Sequence, residues 1–261
     1  MEWREMPIVR PLRASLSTLA WLTASYLLFV GAWTVAALYL SNPAILPTPG
    51  AVVTGFAKLL KGTLVHDVAS SLRRVFVGFF IAGAVAIPLA MVMAFYNIFR
   101  KMVLPIITII RPIPPIAWIP IAILWFGIGN PPSYFITALA AFHPIFLNSF
   151  SGALSVEQRH IHAAKFMGAK RGSLILRVLF PSALPMIWTG LKIGLGQSWM
   201  AVVTAELIAA QSGLGYMIQI NQINLETNYV LVGMVTIGIL GSLMTWFLSY
   251  MERFVLPWKQ N

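Results

Sequence analysis

Long runs of apolar residues, separated by short polar segments, dominate the chain. The clearest runs without a charged residue cover 19–40, 75–96 and 229–251 and are 22, 22 and 23 residues long. A helix crosses the hydrocarbon core of a bilayer with about 20 residues. The pattern therefore predicts three membrane-spanning helices.

Three further apolar runs are long enough to span a membrane but contain polar interruptions. They cover 102–128, 134–154 and 183–210. All six runs are continuous, whereas the strands of a membrane β-barrel alternate polar and apolar residues. We therefore expect an all-α integral membrane protein with about six transmembrane helices in one domain, 1–261.

The third run contains an unusual number of prolines. Seven of them lie between Pro105 and Pro132, and Arg111 stands beside the densest group. Each interior proline removes a helical hydrogen bond, and irregular backbone at membrane depth survives only inside the protein or along a water-filled cavity. The prolines predict a break in this span. Arg111 either serves a transport pathway or extends to the inner membrane edge.

Composition supports the membrane assignment. Hydrophobic residues make up 59% of the 261 residues and charged residues 10%, against roughly 25% charged residues in soluble domains. The chain has no cysteine, which excludes disulfides and cysteine-ligated metals. The net charge of +11 is assigned to loops at the membrane surface, so we expect no nucleic-acid partner.

The distribution of basic residues predicts the orientation. If the N-terminus is cytoplasmic, the inner segments hold twelve Lys and Arg residues and the outer segments hold four. Basic residues favour the cytoplasmic side. We therefore expect both termini and the segment 155–181 in the cytoplasm. The four outer basic residues are Lys58, Lys61, Arg73 and Arg74.

The predicted outer segment, 41–74, contains a rigid turn, LPTPG, at 46–50. Apolar residues with helical spacing follow the turn and predict a short helix. This helix either lies in the membrane interface or packs against the bundle. Its apolar residues are Val52, Val53, Phe56, Leu59 and Leu60.

The segment 155–181 is rich in basic residues but is patterned. Ser155 and Gln158 fit a capping box, and Gly168 suits a helix end, so a short helix is predicted from Ser155 to about Met167. Ser173 is expected to cap a second short helix that ends near Pro181. Apolar residues lie among the basic ones, which favours docking of a soluble partner over a solvated loop. They are Ile161, Phe166, Met167 and Leu174.

The same segment resembles the cytoplasmic motif of ABC importer permeases. That motif reads Glu-Ala-Ala, three residues, Gly, nine residues, then Ile-x-Leu-Pro. Here the spacing is kept, with three differences: His162 for Glu, Val178 for Ile and Phe180 for Leu. Other stretches resemble the nitrate, sulfonate, taurine and bicarbonate branch of these permeases, over roughly 45–258. They include RPIPPIAWIPIAILWFGIG, AELIA and SGLGYMI.

The resemblance implies the type I ABC importer permease fold, with a cytoplasmic coupling helix, in a bacterial plasma (inner) membrane. It implies a second permease copy, two cytoplasmic ATP-binding subunits and an extracytoplasmic solute-binding protein. ATP and Mg would be bound by the ATP-binding partner, so the chain itself is expected to need no cofactor and to catalyse no reaction. The implied ATPase-coupling residues are His162, Ala163, Ala164, Gly168 and Pro181.

Two other functions fit the sequence less well. An enzyme is disfavoured because the chain has no P-loop, HExxH or GxSxG motif. His160 and His162, two residues apart on a helix, diverge and do not form a metal site. A secondary carrier would suit six spans with a broken helix. It would have no use for a docking helix in the cytoplasm.

The fifth run carries the remaining candidate residues. At 100° per residue, Lys192, Trp199 and Glu206 share one face, while Gly190, Gly194 and Ser198 form a small-residue seam on another. Lys192 is a candidate attractor for a small anion, and Glu206 is expected to pair with a basic group. A buried ion-pair network is the alternative for both. The candidate translocation-path residues are Arg111, Lys192, Gln197, Trp199 and Glu206.

Overall fold

A computed structural model describes residues 16–259, and every regular element in that part of the chain is helical. Short 3₁₀ turns cover Pro115–Trp118 and Pro257–Lys259, and a π-helical segment covers Ile175–Leu179. The α-helices are α1 Leu16–Leu40, α2 Pro49–Leu60, α3 Leu64–Phe95, α4 Asn97–Ile110, α5 Ile119–Phe126, α6 Asn130–Leu154, α7 Gln158–Phe166, α8 Arg171–Leu174, α9 Phe180–Ala209, α10 Leu214–Ile223 and α11 Thr227–Val255.

Five helices within residues 16–259 are long and apolar enough to cross a membrane: α1, α3, α6, α9 and α11. The predicted third span is instead a pair of shorter helices. Asn97–Ile110 and Pro115–Phe126 meet at an angle of 93°. The break falls at the prolines, as predicted, because Pro112 and Pro114 cannot donate the hydrogen bonds that would continue α4.

The core is built on close contacts of α6 with α3 and α9. A Cβ atom added to Gly190 would lie 3.0 Å from the Pro144 carbonyl oxygen, and one added to Gly194 would lie 2.8 Å from Cγ1 of Ile145. The hydroxyl of Ser198 donates to the Thr137 carbonyl at 2.9 Å. The predicted small-residue seam of the fifth run is therefore confirmed, and it faces α6.

The second short helix predicted for the cytoplasmic segment does not end near Pro181. The chain stays helical from Arg171 to Ala209. The turn before the proline widens, because the Phe180 N–H donates to the Ile175 carbonyl. Such π turns are one means by which a helix accommodates a proline. The fifth span is correspondingly longer than the apolar run that predicted it.

The segment 41–74, predicted to be the outer one, also differs from the expectation. The predicted short helix forms as α2, with Thr48 as its N-cap. Val52 is buried against the bundle, whereas Val53 is exposed. However, α3 starts at Leu64, well before the predicted start of the second span. Arg73 and Arg74 therefore lie within this helix and not in a loop.

Candidate functional site

The short helix α7, in which the coupling residues are expected, starts later than the capping-box pattern predicted. Ser155 ends α6, and its hydroxyl donates to the Gly152 carbonyl at 2.8 Å. Glu157 then adopts an extended conformation before α7, and no side chain caps the helix. The capping-box prediction is wrong because α6 runs on to Leu154, which makes Ser155 a C-terminal residue of that helix.

The predicted end of α7 is confirmed. Gly168 has φ +79°, a left-handed conformation that glycine adopts without steric cost. Its N–H donates to the Lys165 carbonyl at 2.9 Å, and the Ala169 N–H donates to the Ala164 carbonyl at 3.0 Å. These two bonds form a Schellman motif. The motif turns the chain sharply away from the helix axis.

One face of α7 rests on the protein's own bundle. Ala164 is buried and Ile161 is half-buried, and Leu174, which lines the same cavity as Ile161, is only 1% exposed. His162 and Ala163 are on the exposed side. Of the implied ATPase-coupling residues, Ala164 therefore packs against the protein's own bundle, whereas His162 and Ala163 are accessible.

The C-terminal end of α7 projects two large apolar side chains into the surroundings. Phe166 is 92% exposed and Met167 is 83% exposed, between the exposed Lys165 and Lys170. Outside the membrane, exposed apolar side chains grouped together mark contact sites for other proteins, and Phe and Met are enriched in such interfaces. This end of α7 has the character of a docking surface.

A second site lies at the opposite end of the bundle, around Glu206 of α9. The carboxylate is completely buried and accepts hydrogen bonds from Nη1 of Arg74 at 2.6 Å and from the Ser71 hydroxyl. The Gly215 N–H donates to its other oxygen at 3.0 Å. Arg74 is 2% exposed. Both charged groups of the ion pair are therefore shielded from water.

The same cluster fixes the turn between α9 and α10. Arg74 donates to both the carbonyl and the hydroxyl oxygen of Ser212, at 2.6 and 2.9 Å. The buried Asp67 accepts from the Gly213 N–H at 2.9 Å. A Cβ on Gly213 would lie 2.6 Å from Nη1 of Arg74, and its φ of +108° already requires glycine. Arg74 also reaches α6, donating from Nε to Oδ1 of Asn130 at 2.9 Å.

This polar cluster joins α3, α6, α9 and α10 and leaves no open space at the carboxylate. Both oxygens of Glu206 are bonded to protein groups. Glu206 therefore contacts no solute in this conformation. For Glu206, the geometry therefore agrees with the buried ion-pair network that the sequence left open as an alternative.

Lys192 is also paired, with a residue near the C-terminal end of α11. Its Nζ lies 2.6 Å from Oε2 of Glu252, with the two side chains 27% and 18% exposed. Two indole N–H groups reinforce the contact between α9 and α11. Trp188 donates to the Leu248 carbonyl at 3.2 Å, and Trp199 donates to the Ile237 carbonyl at 3.0 Å.

The five candidate path residues do not form one site. Trp199 and Glu206 are buried, and Lys192 is engaged with Glu252. Gln197 is exposed on a separate face of α9, and Arg111 is exposed at the bend after α4. An exposed amide in the middle of an apolar span indicates a surface that faces water or another protein, because an unsatisfied polar group in lipid is costly.

Several partners were not identified from the sequence. Arg74, Ser71 and Asp67 surround Glu206, and Glu252 pairs with Lys192. One signal was available: a carboxylate inside an apolar run requires a cation, and Arg74 borders the second charge-free run. The described residues contain no group of three His, Cys, Asp or Glu side chains arranged to hold a metal ion.

Comparison with known proteins decides the family. Residues 86–257 match the model of a binding-protein-dependent transport system inner membrane component. The chain belongs to this family. This confirms the resemblance seen in the cytoplasmic motif: the protein is a permease subunit of an ABC transporter, in which ATP hydrolysis belongs to a separate subunit.

Relatives and a solved structure agree. The chain is 38% identical to the taurine transport system permease protein TauC of Escherichia coli K12, over 99% of this chain and 94% of TauC. It is 32% identical to the nitrate import permease protein NrtB of a Synechocystis strain, over 75% of this chain and 71% of NrtB. The inward-facing MetNI methionine ABC transporter has the same fold, with a TM-score of 0.66 at 23% identity, over 73% of this chain and 95% of that one.

Proposed function

We propose that this permease imports a small oxyanion of the sulfonate or nitrate class. The proposal is supported by relatives named for taurine and for nitrate transport. These solutes share a compact group of oxygen atoms bearing negative charge.

The assembly that we propose contains two copies of this chain, two ATP-binding subunits and an extracytoplasmic binding protein. Each α7 would contact one ATP-binding subunit, which binds ATP and Mg. The observation that carries this proposal is the exposed end of α7, where Phe166 and Met167 project beside His162 and Ala163. A secondary carrier has no partner for such a surface.

The path itself is proposed to run along the face of α9 that carries the exposed Gln197. The exposed Met200 and the half-buried Thr204 lie on the same face. Arg111, exposed at the break of the third span, is the second proposed contact for an anion. Lys192 would participate only if it separated from Glu252.

Uptake into vesicles that contain the whole transporter tests the cargo and the mechanism together. We expect ATP-dependent uptake of labelled taurine, an alkanesulfonate or nitrate, and no uptake when the P-loop lysine of the ATP-binding subunit is replaced. Uptake driven by an ion gradient without ATP would instead identify a secondary carrier. Transport of none of these oxyanions by a complex that still hydrolyses ATP would exclude the proposed cargo.

A further inference from the structure

An apolar groove with a basic end runs along α4. Its volume is about 530 Å³. The lining residues recur at the spacing of a single helix face, with the two cations at one end and apolar groups beyond them. They are Arg100, Lys101, Leu104, Pro105, Thr108 and Ile109.

The basic end of this groove lies on the membrane face that carries the coupling helix. The corner between α3 and α4 shares a cavity of about 590 Å³ with α7, to which Phe95 and Tyr96 contribute from one side and Ile161 and Lys165 from the other. Tyr96 is 41% exposed at this corner. Exposed aromatic residues beside cations are typical of the boundary between membrane and water.

The length of the groove matches one leaflet of a bilayer. From Arg100 to Ile109 the helix rises about 14 Å, at about 1.5 Å per residue. One leaflet contributes about 15 Å to a hydrocarbon core of about 30 Å. The groove therefore extends from headgroup level to near the middle of the membrane, where α4 ends at Ile110.

The groove offers charge at its mouth and an apolar surface beyond. Arg100 donates to Oδ1 of Asn97 at 2.5 Å, and the ion pairs within residues 16–259 include neither Arg100 nor Lys101. The Thr108 hydroxyl is already bonded to the Leu104 carbonyl at 2.8 Å. The mouth is thus suited to an anion and the remainder to a hydrocarbon chain.

We propose that this groove binds an anionic phospholipid of the inner leaflet. Its phosphate lies against Arg100 and Lys101, and one acyl chain follows Leu104 to Ile109. Basic residues close to the cytoplasmic membrane surface bind anionic headgroups, each contributing a Coulombic attraction that salt weakens. A second copy of α4 is a poor occupant, because the helix contains two cations and no acidic residue, so that like charges would meet.

Native mass spectrometry of the permease purified with its ATP-binding subunits tests this site. We expect phosphatidylglycerol to bind more tightly than phosphatidylcholine with the same chains, and glycerol phosphate without chains not to bind. In the double variant R100Q/K101Q, phosphatidylglycerol binding should weaken on the order of tenfold. The matched control K58Q/K61Q removes two exposed cations at the other end of the bundle and should keep the original affinity.

A second variant tests the apolar part of the groove. T108W keeps both cations but fills the groove, and it should also weaken phosphatidylglycerol binding. Unchanged binding in both R100Q/K101Q and T108W would overturn the proposal. Since the chain has no cysteine, T108C offers a check of the alternative occupant: disulfide formation between two permease copies at this position would show that protein fills the groove.

Discussion

At the scale of single residues, the most demanding feature is the ion pair of Arg74 and Glu206. Moving a charge out of water costs several kcal/mol, and the mutual attraction offsets this only with good geometry and further hydrogen bonds. Here the two side chains have exposures of 3% and 0% and approach to 2.6 Å. The bonds from Ser71 and Gly215 complete the carboxylate. Removal of either side chain would therefore leave the other charge buried without a partner, which is more destabilising than the pair is stabilising.

The first prediction follows from this dependence. R74M leaves the Glu206 carboxylate buried without its cation and should destabilise the protein by about 3–5 kcal/mol. E206Q should also destabilise it, and the double variant R74M/E206Q should lose less than the sum of the two, because the single variants share one interaction. Thermal unfolding of the purified protein, followed by tryptophan fluorescence, measures all three.

The neighbouring residue supplies the control for that experiment. R73M removes a basic residue from the same helix, but Arg73 is exposed, so its unfolding temperature should change little. If R73M and R74M were equally stable, or if the effects of R74M and E206Q simply added, the ion pair would not organise this end of the bundle.

At the scale of elements, α7 separates a supporting face from a docking face. Leu174 and Ala164 hold the segment against the bundle, whereas Phe166 and Met167 project from its end. A substitution on the supporting face should therefore lower the stability of the fold, whereas a substitution on the docking face should weaken partner binding.

The second prediction compares those faces directly. F166S should leave the unfolding temperature unchanged while reducing co-purification of the ATP-binding subunit, since it removes an exposed apolar contact. L174S should lower the unfolding temperature, because burying a hydroxyl and losing apolar packing cost about 2–5 kcal/mol. Normal assembly of the F166S variant would show that the partner binds elsewhere.

Local patterns predicted some boundaries of this segment and failed for others. Gly168 was predictable because a single property, a positive φ, fixed its place at the helix end. Ser155 was misassigned because a residue that can begin one helix can equally end another. The difference was decided by α6, whose length depends on packing against α3 and α9. Likewise, the prolines predicted a break after α4, but the 93° angle depends on tertiary contacts.

At the scale of the whole molecule, the hydrophobic runs predicted a membrane protein because their length, as helices, matches the thickness of a bilayer. Pairing between distant residues had no local signal. Arg74 and Glu206 are separated by 132 positions and Lys192 and Glu252 by 60, so no sequence pattern defined which charges meet. The candidate path therefore contained two residues, Lys192 and Glu206, that the fold has already given partners.

The orientation in the membrane depends on the basic residues of the whole chain. The count of basic residues placed Arg74 among four outer cations, but its burial against Glu206 removes it from the surface. With the exposed Arg73 still counted, three cations remain on the predicted outer side, against twelve on the predicted inner side. Because an excess of basic residues favours the cytoplasmic side, the prediction that α7 and both termini are cytoplasmic is unchanged.

Single-cysteine labelling tests this orientation without a background, since the natural chain has no cysteine. In intact cells, a membrane-impermeant maleimide should modify K61C, which lies at the end of α2, and should spare K170C until the membrane is opened. Both positions are exposed, so a difference reports sidedness and not burial. A86C, at a residue with 0% exposure within α3, should remain unmodified in both conditions. Labelling of K170C but not K61C in intact cells would require the opposite orientation, and α7 would then lie on the side where ATP-binding subunits cannot reach it.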